Sequence, residues 1–140
     1  MHPAARHLVF HGAIVLLFGL LLGAPYAKAI KRDAAAHIVN SWRVAHLSLP
    51  IGATLMLATA GVLSSLAVPG WAMWLIAVAL IVSAYGFCVS TPLAAISGQR
   101  GLSSDGAAGL GRLVYAGNMV GAIASVAGAV ALLGAAFVSL

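Results

Sequence analysis

Most of the chemistry this chain can offer is gathered in one short stretch, Asn40–Pro50 ("NSWRVAHLSLP"), where a Trp, an Arg, a His and a Pro interrupt apolar sequence. His46 falls about three turns into a long apolar helix, at a depth where an ionisable group is costly and marks a candidate functional site. The alternative for His46 is a neutral imidazole hydrogen-bonded to a neighbouring helix. Pro50, four residues on, removes the backbone donor that would serve the His46 carbonyl and bends the helix there. Trp42 and Arg43 stand one turn earlier on the same side. An imidazole, an indole and a guanidinium beside a kink suit a flat, largely apolar group with an anionic edge. Haem has those properties: His ligates the iron, aromatic and aliphatic side chains hold the ring, and arginines meet the propionates. Arg100 and Arg112 are expected at the same end of the bundle and can share that work.

The other histidines offer less. His2 and His7 read as interfacial, and His37, nine residues before His46, falls on the opposite helix face. His7 and His11 share a face, but no Cys, Asp or Glu lies near enough in sequence to complete a closed zinc site. His11, followed by Gly12, reads as a hydrogen-bonded packing residue. It enters from the opposite membrane face and should differ from His46 in depth by roughly 10–15 Å. The two cannot easily sandwich one iron within a chain. A haem on His46 would therefore keep one axial position open, and an open ferric site is a Lewis acid toward oxygen. Little other catalytic equipment exists. The chain has no Glu, and its two acidic residues, Asp33 and Asp105, fall in expected loops. Paired-carboxylate catalysis and carboxylate proton relays are thereby excluded, and no phosphate-binding glycine loop is present.

The elements that must position these groups follow from composition. Of 140 residues, 63% are hydrophobic and only 6% charged, with mean hydropathy +1.10. Soluble domains carry about a quarter charged residues. The predicted fold class is all-α, an integral membrane four-transmembrane-helix bundle forming one domain over residues 1–140, with helices at roughly 8–30, 34–67, 71–96 and 107–139. Asp33 is the expected N-cap of the second helix, "VPGW" (68–71) a tight turn, and Pro92 a bend near the end of the third. A cleaved signal peptide is the alternative for the start, but the apolar run Leu8–Ala24 exceeds a usual signal core. The single cysteine, Cys88, precludes an intrachain disulfide. Gly117, Gly121, Ser125 and Ala129 recur every four residues on the fourth helix, and Gly12, Gly19 and Gly23 mark the first. Such stripes let helices approach closely in lipid, within one chain or between copies. The net charge of +5 reflects basic loop ends; no basic run with interleaved aromatics points to nucleic acid. Lys28, Lys31, Arg32, Arg43, Arg100 and Arg112 fall at one end and Arg6 at the other, which predicts a cytoplasmic basic end and both termini outside.

With these features in place, the sequence resembles the styrene oxide isomerase family of small bacterial membrane proteins. The likeness rests on "HGAIVLLFGLLLG" from His11, on "WRVAH" ending at His46, and on "YGFCVS" followed by "QRGLS". It implies haem b (ferric) held by His46 between the protomers of a homotrimer in a bacterial inner (cytoplasmic) membrane. It also implies a small apolar epoxide as substrate, whose oxygen meets ferric iron. The ring opens to a benzylic cation, a hydride shifts and a carbonyl compound leaves, with no net redox change. Two positions depart from the family pattern: Gly52 stands where relatives carry Asn near the substrate, and Cys88 where they carry Tyr. Tyr85, one turn before Cys88, and Asn118 on the fourth helix are the polar groups placed to act in their stead, with Cys88 itself a third candidate. The competing expectation is a membrane protein without catalysis, binding haem or serving as an assembly subunit.

Overall fold

In a bilayer every backbone N–H and C=O must find its partner within the protein, so long apolar runs become helices. The computed structural model of the protein describes residues 1–99, 101 and 109–140; the expected haem contact Arg100 lies outside the described residues. The fold is all-α: α1 (Pro3–Leu21), α2 (Gly23–Lys31), α3 (Ala36–Leu63), α4 (Gly70–Ser97) and α5 (Leu110–Val138). Together they make four spans, because α1 and α2 follow one another as a single apolar run, Pro3–Lys31.

The first span starts earlier than the predicted residue 8. Pro3 opens the helix, where its missing N–H is harmless, and the His2 ring Nδ1 accepts the Ala4 amide at 3.2 Å as N-cap. The His2 backbone N–H in turn donates to Ser64 Oγ at 3.0 Å, tying the N-terminus to the end of α3. The break at Leu22 has its cause three residues later, where Pro25 cannot donate to the Leu21 carbonyl.

Asp33 does not cap α3, as the sequence leads one to expect. Its φ is +49°, and it closes α2: its N–H donates to the Ile30 carbonyl while the Ala34 N–H reaches back to Ala29. This is the paired hydrogen bonding of a Schellman motif, with Asp33 in the left-handed position. The N-cap of α3 is Ala35, without a side-chain bond. At its far end α3 stops at Leu63 rather than Ala67, because Ser65 turns back onto the Val62 carbonyl through both its N–H and its hydroxyl.

Glycines set how closely the helices approach. A Cβ at Gly19 would stand 2.5 Å from Pro50 Cδ and 2.9 Å from Leu49 Cβ, so α1 meets α3 there almost backbone to side chain. The α4–α5 pair is closer still: a Cβ on Gly86 would lie 2.9 Å from the Gly117 carbonyl oxygen, and one on Gly117 the same distance from that of Gly86. Gly121 and Gly128 face Phe87 and Leu80 of α4. The small-residue stripe of α5 thus packs within the chain, while Ala129 and Gly134 remain exposed. Leu8 and Val15 of α1, Leu49, Met56 and Leu63 of α3, and Met73 and Ile76 of α4 form the shared core. Among the described residues α5 packs on α4 alone. It does not reach α3, so α3 and α5 flank a cleft whose floor is α4.

Candidate functional site

His46 sits where α3 crosses the α1–α2 junction. Its Nδ1 is 2.9 Å from the Gly19 carbonyl oxygen. A carbonyl only accepts, so Nδ1 carries the proton and Nε2 keeps its lone pair. A histidine held by a backbone carbonyl through one ring nitrogen and free at the other is the arrangement found at metal-ligating imidazoles. The ring rests against Gly23, where a Cβ would stand 3.1 Å from Cε1. The Tyr26 ring lies beyond it, centroids 6.1 Å apart and planes at 31°. Gly19 therefore does three things at once: it admits Pro50, supplies the carbonyl that orients His46, and leaves room for the helix crossing. Gly23 makes space for the imidazole.

No group of three or more His, Cys, Asp or Glu residues that could hold a metal ion by itself occurs among the described residues. One imidazole with a fixed tautomer suits a metal that arrives with its own ring of nitrogen donors, as iron does in haem. Trp42 packs partly buried against the core one turn before His46. Arg43 is exposed and donates from Nη2 to Asn40 Oδ1 at 2.6 Å. Arg112 is exposed in the first turn of α5, at the same end of the bundle as the N-terminus of α3.

The polar residues nominated on α4 and α5 are spread over different surroundings. Tyr85 hydroxyl pairs with His11 Nδ1 at 2.9 Å, joining α4 to α1. Around that bond His7 stacks on His11 with centroids 5.9 Å apart and leans on Trp74 at 5.2 Å. His11 itself lies eight residues before Gly19, about 12 Å along α1 from the level of His46. Cys88 is half-buried and packs against the core. Asn118 is on the wall of the cleft, its Nδ2 donating to the Gly101 carbonyl at 3.3 Å.

That cleft holds a cavity of about 460 Å³ bordered by Val44, Ser48 and Gly52 of α3, Ser83 and Phe87 of α4, and Asn118 of α5. A smaller one of about 320 Å³ continues toward Asn40 and Ser41, sharing Val44, Thr91 and Asn118. Val44 and Ser48 bracket His46 in sequence, two residues either side, so the cleft and the imidazole occupy opposite faces of α3. Sequence reasoning did not foresee this cleft. It also missed Gly19 and Gly23 as the cradle of His46, although two glycines four apart on the first helix were the available signal.

Compared with known proteins, the chain matches the family described as styrene oxide isomerase over residues 4–137. No curated protein and no solved structure matches it.

Proposed function

The chain belongs to the styrene oxide isomerase family, and from that membership we propose that it binds haem b through His46 and converts a small apolar epoxide to a carbonyl compound without net redox change. The observation that carries this reading is the Nδ1–H bond from His46 to the Gly19 carbonyl, which leaves Nε2 as a ligand. Haem b held by His46 would supply a Lewis-acidic iron able to polarise the epoxide oxygen. Trp42 and Tyr26 offer aromatic surface to the macrocycle, and Arg43, Arg100 and Arg112 offer charge to its propionates.

The chain's own groups then bind and orient the substrate. The cleft walls are largely apolar and exclude water from the reacting oxygen and its neighbouring carbons. Asn118 stands on that wall as the polar contact, with Tyr85 and Cys88 the remaining candidates. Because His46 and the cleft face opposite ways from α3, one copy cannot bring both to one substrate. A ring of copies, a homotrimer by family resemblance, joins them by a head-to-tail contact in which the His46 edge of one copy meets the cleft of the next. We place this assembly in a bacterial cytoplasmic membrane with the basic end inside.

An absorbance spectrum of the purified full chain and of His46→Ala tests the reading, together with aryl epoxide turnover without added cofactor. A Soret band lost in the variant, with aldehyde formed only by the wild type, is the expected result. A haem-free wild-type protein, or a His46→Ala variant with an unchanged spectrum, would overturn it.

A further inference from the structure

We infer that the α3–α4–α5 cleft binds an apolar ring carrying one oxygen function, and that the Ser83 hydroxyl is the group that selects for the oxygen. In an apolar helix a Ser or Thr hydroxyl ordinarily satisfies itself on a carbonyl three or four residues back. Ser41, Thr54, Ser65, Thr91, Ser125 and Ser139 all do so here. Ser83 does not. It is only 6% exposed, makes no hydrogen bond among the described residues, and borders the 460 Å³ cavity. Its Oγ is not enclosed, since among the described residues only Ser90 Oγ is a fully buried unpaired side-chain atom; the hydroxyl therefore opens onto the apolar cavity, where a ligand oxygen can accept from it.

Two neighbours define what the ligand is. Ser48 borders the same cavity from α3 and also makes no hydrogen bond among the described residues, while Thr91 and Ser125 of the lining turn their hydroxyls back onto their own helices. Gly52 lies on the wall with nothing within 4 Å of a Cβ built upon it, so the space beside α3 is open to a ring. Ser90 supplies the contrast. Its Oγ is fully enclosed without a partner, but a Cβ on Gly117 would meet its Cβ at 2.9 Å, and it does not border the cavity. The volume suits a small organic molecule, and the largely apolar lining suits an apolar epoxide and its carbonyl product alike. Ser83 is then the donor to the oxygen of either.

This inference rests on the proposed function for the identity of the ligand but not for the existence of the site. It is tested with the full chain in nanodiscs by ligand-detected fluorine NMR, comparing 4-fluoroacetophenone with its hydrocarbon counterpart 4-fluorocumene, against empty nanodiscs. The wild type should bind the ketone more tightly. Ser83→Ala should weaken the ketone roughly three- to tenfold, the range for one neutral hydrogen bond, and leave the hydrocarbon unchanged. Ser90→Ala should change neither, and Gly52→Leu should exclude both by filling the cavity. Equal binding of ketone and hydrocarbon, or a Ser83→Ala ratio equal to that of wild type, would mean that the cleft takes any acyl chain and would refute the inference. Repeating the series in His46→Ala separates the two proposals. A haem-free, inactive wild type in which the Ser83 effect is intact sinks only the claim about iron, whereas a haem-loaded, active wild type with a silent Ser83→Ala sinks only this one.

Discussion

Replacing Gly19 by Ala should damage the His46 site more than any other single methyl group added to the chain. The new Cβ would stand 2.5 Å from Pro50 Cδ, well inside ordinary contact distance, and 2.9 Å from Leu49 Cβ. Both neighbours belong to α3, and neither is the tip of a flexible side chain. The helices must therefore part by about 1 Å, which stretches the 2.9 Å bond between His46 Nδ1 and the Gly19 carbonyl oxygen beyond the ~3.5 Å limit of a hydrogen bond. Overpacking of this kind costs about 1–3 kcal/mol and the lost bond about 1 kcal/mol more. Gly23→Ala is milder: its Cβ meets His46 Cε1 at 3.1 Å, so the ring shifts by a few tenths of an ångström while the helices stay in place. Gly52→Ala meets nothing and should stabilise α3 by up to about 1 kcal/mol through helix propensity. Unfolding in mixed detergent micelles gives the stabilities, the Soret absorbance per protein gives haem retention, and nitrogen NMR of His46 reports the tautomer without haem. The expected order is Gly19→Ala far below Gly23→Ala, and Gly23→Ala below Gly52→Ala, in both haem retention and Nδ1 protonation. A Gly19→Ala protein as stable and as haem-replete as Gly52→Ala would refute the claim that this helix crossing orients the imidazole.

Further outcomes follow from other contacts. Tyr85→Phe removes the hydroxyl bonded to His11 and should lower stability by about 1 kcal/mol while leaving the Soret band in place, measured on the same purified protein. Gly117→Leu drives a side chain into the Gly86 carbonyl and Ser90 and should cost more than about 3 kcal/mol, seen as failure to recover folded protein from the membrane. Asp33→Gly should be neutral or slightly stabilising because its φ of +49° suits glycine, whereas Asp33→Val should lose about 1–2 kcal/mol in the same unfolding assay.

Much of this molecule was legible from composition alone. A chain with so few charges and four long apolar runs has no stable alternative to membrane-spanning helices, and the predicted runs overlap the observed ones along most of their length. The boundaries slipped where capping is decided by partners distant in sequence. His2 caps α1 and binds Ser64, a contact between residues 62 positions apart that no local pattern announces. Asp33 carries the right side chain for an N-cap, but the backbone needs a left-handed residue to end α2, and that demand prevailed. His46 stood out because an imidazole deep in an apolar helix is rare. Its cradle did not, because Gly19 and Gly23 read equally well as general packing residues until the facing helix is known. Tyr85 and Asn118 share polar chemistry in sequence, yet helix rotation sends one to His11 and the other to the cleft.

The helix that links these observations is α3. On one face it carries His46, held by a carbonyl of α1; on the other it carries Ser48 and Gly52, which look across the cleft toward α4. Pro50 lies between them, pressed into the space over Gly19 and freeing the His46 carbonyl from its helical donor. A shift at the α1 crossing must therefore reach the cleft through the same few residues that orient the imidazole. Within one chain the helix itself separates the two faces, so any chemistry that uses both needs a second copy to close the gap. The open side of α5, which among the described residues packs on α4 alone, leaves room for such a copy to enter. The intrachain use of Gly117, Gly121 and Gly128 against α4 narrows where it can dock, leaving Ala129 and Gly134 among the exposed small residues of α5. What remains for a neighbour is the cleft rim and the large apolar side chains of α5, an interface mostly of shape and apolar area, with backbone approach confined to exposed small residues such as Ala129 and Gly134.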